Sequence, residues 1–138
     1  ALADLTEAIE LDPENAVAYI NRGIAYGYNE QYRLAIADFT RAIELDPENA
    51  AAYSNRGWAY KEKGGSKQAI ADLTKAIELD PENASAYNNR GTIYTMKEKY
   101  DLALADFNKV VELSDDPILI DLATGYIRKL EFIIAMGL

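Results

Sequence analysis

The chain contains no cysteine and no histidine. Without cysteine there is no disulfide, no thiolate nucleophile and no sulfur ligand for zinc. Without histidine the usual general base near neutral pH and the commonest metal ligand are missing as well. Long apolar runs are absent too. None reaches the roughly 18 residues that a membrane-spanning helix needs. Basic residues are the minority, 14 against 23 acidic ones, for a formal net charge of −9. Such a surface repels phosphate backbones and anionic lipid, so neither nucleic acid nor a membrane is an expected partner. The phosphate-cradling patterns GxxxxGK[ST] and GxGxxG do not occur. Acid pairs such as Asp38 with Glu44 fall on helix flanks and turns without a pocket signature. No catalytic residue, metal or cofactor is therefore expected, and the chain does not read as an enzyme. A soluble protein is expected. The lack of cysteine leaves its compartment open, with the cytoplasm favoured.

What is present is repetition. The octapeptide AIELDPEN occurs three times, at 8–15, 42–49 and 76–83, evenly spaced. Extending the match outward gives ALADLTEAIELDPEN, AIADFTRAIELDPEN, AIADLTKAIELDPEN and a weaker ALADFNKVVELSDDP. A fixed period of about 34 residues means stacked copies of one small unit. With 49% apolar residues, a packed core is expected. Glu10, Asp12 and Glu14 recur as Glu44, Asp46, Glu48 and as Glu78, Asp80, Glu82, all within the repeated octapeptide. Much of the acidity is thus a recurring helix end and turn, a solvated surface and not a dedicated acidic site.

Each unit reads as two helices. The first starts after Asn15, Asn49 or Asn83, whose side-chain oxygens can cap early backbone N–H groups. On it Tyr19, Gly23 and Tyr26 share one face, as do Tyr53, Gly57, Tyr60 and Tyr87, Gly91, Tyr94. A glycine inside a helix costs about 1 kcal/mol relative to alanine, so its expected role is close approach of a second helix. That second helix carries Ala35, Ile36, Phe39, Ala42 and Ile43 at helical spacing, and Pro47 or Pro81 stops it. Gly64-Gly65-Ser66-Lys67 lies between the two helices of one unit and reads as a permissive turn.

This pattern resembles the tetratricopeptide repeat (TPR) family over nearly the whole chain. The matching residues are Tyr19, Gly23, Tyr26, Ala35, Phe39, Ala42 and Pro47 in the first full unit. They recur as Tyr53, Gly57, Tyr60, Ala69, Ala76 and Pro81, with Leu73 at the aromatic position. The third unit supplies Tyr87, Gly91, Tyr94, Ala103 and Phe107, then departs at Val110 and at Pro117. The resemblance implies an all-α fold of about eight helices, a right-handed α-solenoid of stacked antiparallel helix pairs. The expected division is 1–15 (a lone second helix), units 16–49, 50–83 and 84–117, and a capping helix 118–138.

The resemblance also implies a protein-interaction scaffold whose first helices line a concave groove for an extended peptide or a partner helix. The residues it places there are Val17, Ile20, Asn21, Ile24 and Tyr28; Ala51, Ser54, Asn55, Trp58, Lys61 and Glu62; and Ser85, Asn88, Asn89, Thr92, Thr95 and Met96. Asn21, Asn55 and Asn89 form a ladder that could hold a peptide main chain, or each could tie its own helix to a neighbouring loop. Trp58 is either a groove hot spot or partly buried against the next repeat. Arg22, Arg56 and Arg90 are expected to pair with the periodic Asp4, Asp38, Asp72 and Asp106 between helices, a basic stripe for a partner being the alternative. Family members that clamp the C-terminal carboxylate of Hsp70 or Hsp90 use lysines, arginine and asparagines. Here Asn55 matches, whereas Ile20, Ser85 and Ile24 stand at other clamp positions, so that mode is not expected.

Both ends read as unfinished. Ala1 is not an initiator methionine, and a longer parent protein is expected. The first helix leaves Leu2, Leu5 and Ile9 without a covering helix. The last has an apolar arc of about 160°, sticky on both flanks. A homo-oligomer through the terminal helices is the alternative function.

Overall fold

The computed structural model describes residues 2–138. Its elements are α1 (Leu2–Leu11), α2 (Ala16–Tyr28), α3 (Tyr32–Leu45), α4 (Ala50–Lys63), α5 (Ser66–Leu79), α6 (Ala84–Met96), α7 (Tyr100–Leu113) and α8 (Pro117–Met136). No strand occurs among the described residues. Short turns join the helices within each unit, which makes consecutive helices of one unit antiparallel neighbours. Helices α1–α5 form one unit and α6–α8 a second. In the first unit each helix packs on the next, and in the second α7 packs on both α6 and α8.

The helix ends follow from local chemistry. Asn15, Asn49 and Asn83 each accept a hydrogen bond from the backbone N–H of Ala18, Ala52 or Ala86, at 3.3, 3.1 and 3.1 Å. Just before them, the carboxylates of Asp12, Asp46 and Asp80 accept from the N–H groups of Glu14, Glu48 and Glu82. The repeated LDPEN is therefore a turn closed by its own aspartate and followed by its own cap. Inside each unit the first helix ends in a second recurring device. Glu30, Gly64 and Glu98 take the left-handed conformation, with φ of 62°, 95° and 59°. The next residue then donates back to the carbonyl of Tyr26, Tyr60 or Tyr94 at 2.8–2.9 Å. Gly64-Gly65 is thus a helix stop shared with its glutamate counterparts.

The Tyr-Gly-Tyr face does what its spacing predicts. A Cβ on Gly23 would lie 2.6 Å from Cε1 of Phe39, and one on Gly57 would lie 2.7 Å from Cγ of Leu73. Gly91 meets Phe107 in the same way at 3.1 Å. Phe39, Leu73 and Phe107 are fully buried, together with the small residues Ala35, Ala69 and Ala103.

The ends differ from expectation. Ile9 is buried and Leu2 and Leu5 are half-buried, because α2 covers the face that sequence left open. At the other end Pro117 opens α8 behind an Asp116 cap, as the Asp-Pro pair predicts, with the Asp116 carboxylate accepting from Ile118 N–H at 3.0 Å. Only one of its flanks is covered. Ala123 and Leu130 are buried, and the Tyr126 ring stacks on Phe107 at 4.7 Å between centroids.

Candidate functional site

Helix α2 carries Val17, Asn21, Ile24 and Tyr28 at spacings of four, three and four, so they form one line along the helix. Val17 and Tyr28 are exposed (59% and 78%), Asn21 is exposed and Ile24 is half-buried. Ile20, expected on this face, is not on it. It is buried in the core cluster with Phe39, Ala52 and Ala59, because its position turns toward α4. Its counterpart Ser54 is buried as well. Both residues are withdrawn from any surface that a ligand could touch.

Helix α4 places Trp58 against α2. A Cβ on Gly27 would lie 2.4 Å from the Trp58 Cζ3, so only glycine leaves room for the ring. The rings of Tyr28 and Tyr32 flank it at 5.9 and 6.0 Å, tilted by 54° and 83°. Trp58 is thus half-buried against the preceding repeat. Burial, followed by the charges of Glu62 and Glu30, raises the Tyr32 phenol above its ordinary pKa. Lys61 pairs with Glu62 at 3.5 Å. The Asn55 side chain is half-buried and donates to Ala51 O in its own helix at 2.9 Å.

In the second unit, α6 carries Asn88, Asn89 and Thr92 half-buried and Met96 exposed. Thr92 donates to Asn88 O at 2.9 Å. The Asn88 Oδ1 is buried and has no hydrogen-bond partner.

The arginines that follow the asparagine ladder are engaged internally. Arg22, Arg56 and Arg90 each make a two-pronged hydrogen bond to an aspartate of the next helix, Asp38, Asp72 and Asp106 respectively, at 2.7–2.9 Å. Arg22 and Arg56 also reach the hydroxyls of Thr6 and Thr40 on the preceding helix. Each guanidinium lies 5.7–5.9 Å from tyrosine ring centroids of the Tyr-Gly-Tyr face. The aspartate hydrogen bond raises each arginine above its ordinary pKa, and burial opposes it. This is the expected inter-helix pairing, and it leaves no basic stripe for a partner to use. Among the described residues no group of three or more acids could hold a metal ion, and no helix is long and apolar enough to cross a membrane.

Models of the tetratricopeptide repeat match residues 16–49, 84–117 and 39–71, and a further TPR repeat model matches 59–97. The chain belongs to the tetratricopeptide repeat family. Among solved structures, this TPR chain is similar to the Arabidopsis OM64 TPR domain, with 32% identity and a TM-score of 0.77 over 83% of this chain and 94% of that one. It is similar to the first TPR of Spaghetti (RPAP3) bound to the HSP90 peptide SRMEEVD, at 27% identity and TM-score 0.81 over 90% and 96% of the two chains. The second TPR domain of human RPAP3, in complex with the HSP70 peptide SGPTIEEVD, matches at 31% identity and TM-score 0.75 over 84% and 94%. These TPR domains are helical solenoids, and the present chain shares that fold class. A search of curated protein sequences finds no match.

Residues that sequence reading missed fall into two groups. Gly27 and Tyr32 complete the surroundings of Trp58. On α8 the buried Ala123 and Leu130 stand three positions later than the repeat period would place counterparts of the buried Ala86 and Ile93. In that shifted register, Leu122, Gly125, Lys129 and Phe132 occupy the positions of Ser85, Asn88, Thr92 and Thr95. The late Pro117 was the available signal.

Proposed function

We propose that this TPR chain is a protein-interaction scaffold that holds an extended peptide segment along α2 and α4. The observation that carries the reading is the line Val17, Asn21, Ile24 and Tyr28, left open on a helix whose other sides are packed. Its composition fits a peptide: apolar contacts at both ends and an amide between them that can both donate and accept. The peptide complexes solved for the RPAP3 domains support a segment of that kind as ligand. The chemistry differs from theirs. Those peptides are acidic, whereas this face offers valine, isoleucine and tyrosine on a chain of net charge −9. The proposed ligand is therefore an internal segment with apolar side chains. Asn89, Thr92 and Met96 on α6 hold the registers of Asn21, Ile24 and Tyr28 and are proposed as contacts of the same type, whereas Asn88 stands at the register of the buried Ile20 and Ser54.

Screening a peptide library and titrating the best binder into Asn21→Ala and Tyr28→Ala tests this. Both residues are exposed, so either change leaves the fold intact. At least a tenfold loss of affinity in each is expected. Binding unaffected by both puts the site elsewhere, and preferential binding of SRMEEVD removes the assignment of an apolar ligand.

A further inference from the structure

Helix α8 turns a second apolar line to solvent. Ile118, Leu122, Gly125, Lys129, Phe132 and Met136 follow one another at intervals of four, three, four, three and four. That is the seam of a two-helix coiled coil, about 27 Å long at 1.5 Å per residue. Its apolar members are 79%, 51%, 63% and 60% exposed. It lies well away from the side that buries Ala123 and Leu130. A Cβ on Gly125 would meet nothing within 4 Å. The glycine floors a shallow depression of about 290 Å³ bordered by Asp121, Leu122, Tyr126 and Lys129.

We infer that this seam pairs with the same seam of a second copy of the chain, antiparallel and two-fold symmetric. The seam is self-complementary. Reversing the helix about its midpoint sets Ile118 against Met136, Leu122 against Phe132 and Gly125 against Lys129, so that large apolar groups meet at the ends and a long side chain meets a gap in the middle. Charge follows the same symmetry. Asp121 stands one turn from Gly125, so the Lys129 stem of the second copy crosses the glycine and its ammonium reaches the Asp121 carboxylate. The neighbouring Arg128 has the same reach. An isologous contact of this kind closes on itself and gives a dimer rather than a fibre. The equivalent line on α6, with Ser85, Asn88, Thr92 and Thr95, is polar and has no such match.

Sedimentation of the full chain over a concentration series reads the assembly. The expected mass rises from 15.3 kDa toward twice that value. Leu122→Asp/Phe132→Asp holds it at the lower value with unchanged helicity. Asp121→Lys alone and Arg128→Asp/Lys129→Asp alone each weaken association at least tenfold, and mixing those two variants restores it as a heterodimer. A wild-type chain that stays monomeric up to about 1 mM, a range covering weak association, overturns the inference. So does an assembly that survives Leu122→Asp/Phe132→Asp, or variants that fail to complement on mixing. A peptide from the library that protects α8 while the chain stays monomeric assigns the seam to a foreign ligand instead.

Discussion

Gly27 and Trp58 fit as a pair: the ring edge sits where a Cβ on residue 27 would be, 2.4 Å from Cζ3. The corresponding residues of the next two units are Lys61 and Thr95, and Trp58 itself corresponds to Ile24 and Thr92. The large residue on α4 and the missing side chain on α2 therefore belong to one packing solution found once in the chain. Gly27→Ala forces the indole outward. Overpacking of this kind costs about 1–3 kcal/mol, and the better helix propensity of alanine returns about 1 kcal/mol. A lower melting temperature with red-shifted Trp58 emission is expected. Trp58→Leu combined with Gly27→Ala recovers most of the loss, which a differential scanning measurement checks.

The Arg56–Asp72 pair ties the helices of one unit together, and the Thr40 contact extends it to the helix before. Its groups are neither fully buried nor free in water, so its worth lies between the two limits. Arg56→Ala leaves the mostly buried Asp72 carboxylate without its partner and is expected to cost about 1–3 kcal/mol. Asp72→Asn in the same background relieves part of that cost, because the charge that lost its partner is gone. Urea midpoints of the two variants decide it. If Arg56→Ala melts like the parent chain, the pairing is ornamental.

Three equivalent left-handed positions hold two different residue types, glutamate at 30 and 98 and glycine at 64. A side chain there costs about 1–2 kcal/mol. Glu98→Gly should therefore stabilise the chain by about 1 kcal/mol and Gly64→Ala should destabilise it by a similar amount. A Cβ at Gly64 meets no atom within 4 Å, so the second effect reports backbone strain and not a clash. Thermal melts of the two single variants should move in opposite directions.

Much of the fold is legible in the sequence because the fixed period repeats local chemistry: a cap, a glycine that admits a partner helix and a proline. The Arg–Asp pairs are legible for the same reason, since both members recur with one period. The candidate site is less legible, because a helical wheel shows which residues share a face but not how far a neighbouring helix spreads over its edge. Ile20 lies near Val17 on the wheel and is nevertheless covered. Trp58 has its register in sequence but owes its position to Gly27, which belongs to the preceding unit and a different helix. The shifted register of α8 is invisible to a fixed period. Its apolar arc therefore reads as sticky on both flanks, although one flank is packed and the other carries a separate heptad line.

Asparagine is used for two purposes in this chain, and substitution separates them. Asn49 caps α4 by accepting from Ala52 N–H at 3.1 Å. Losing such a cap costs about 1 kcal/mol. Asn21 is exposed on the open line of α2, where surface substitutions usually stay within about 0.5 kcal/mol. Asn49→Ala should therefore lower the melting temperature and leave peptide affinity nearly unchanged, while Asn21→Ala should do the reverse. Asn55 stands between them, since its amide already donates to Ala51 O. One of its two amide N–H groups is thereby committed to its own helix and the amide's orientation is fixed, so Asn55→Ala is expected to weaken binding less than Asn21→Ala. Equal losses at both positions would show that the two amides act as one ladder, and a larger loss at Asn55 would move the centre of the site from α2 to α4.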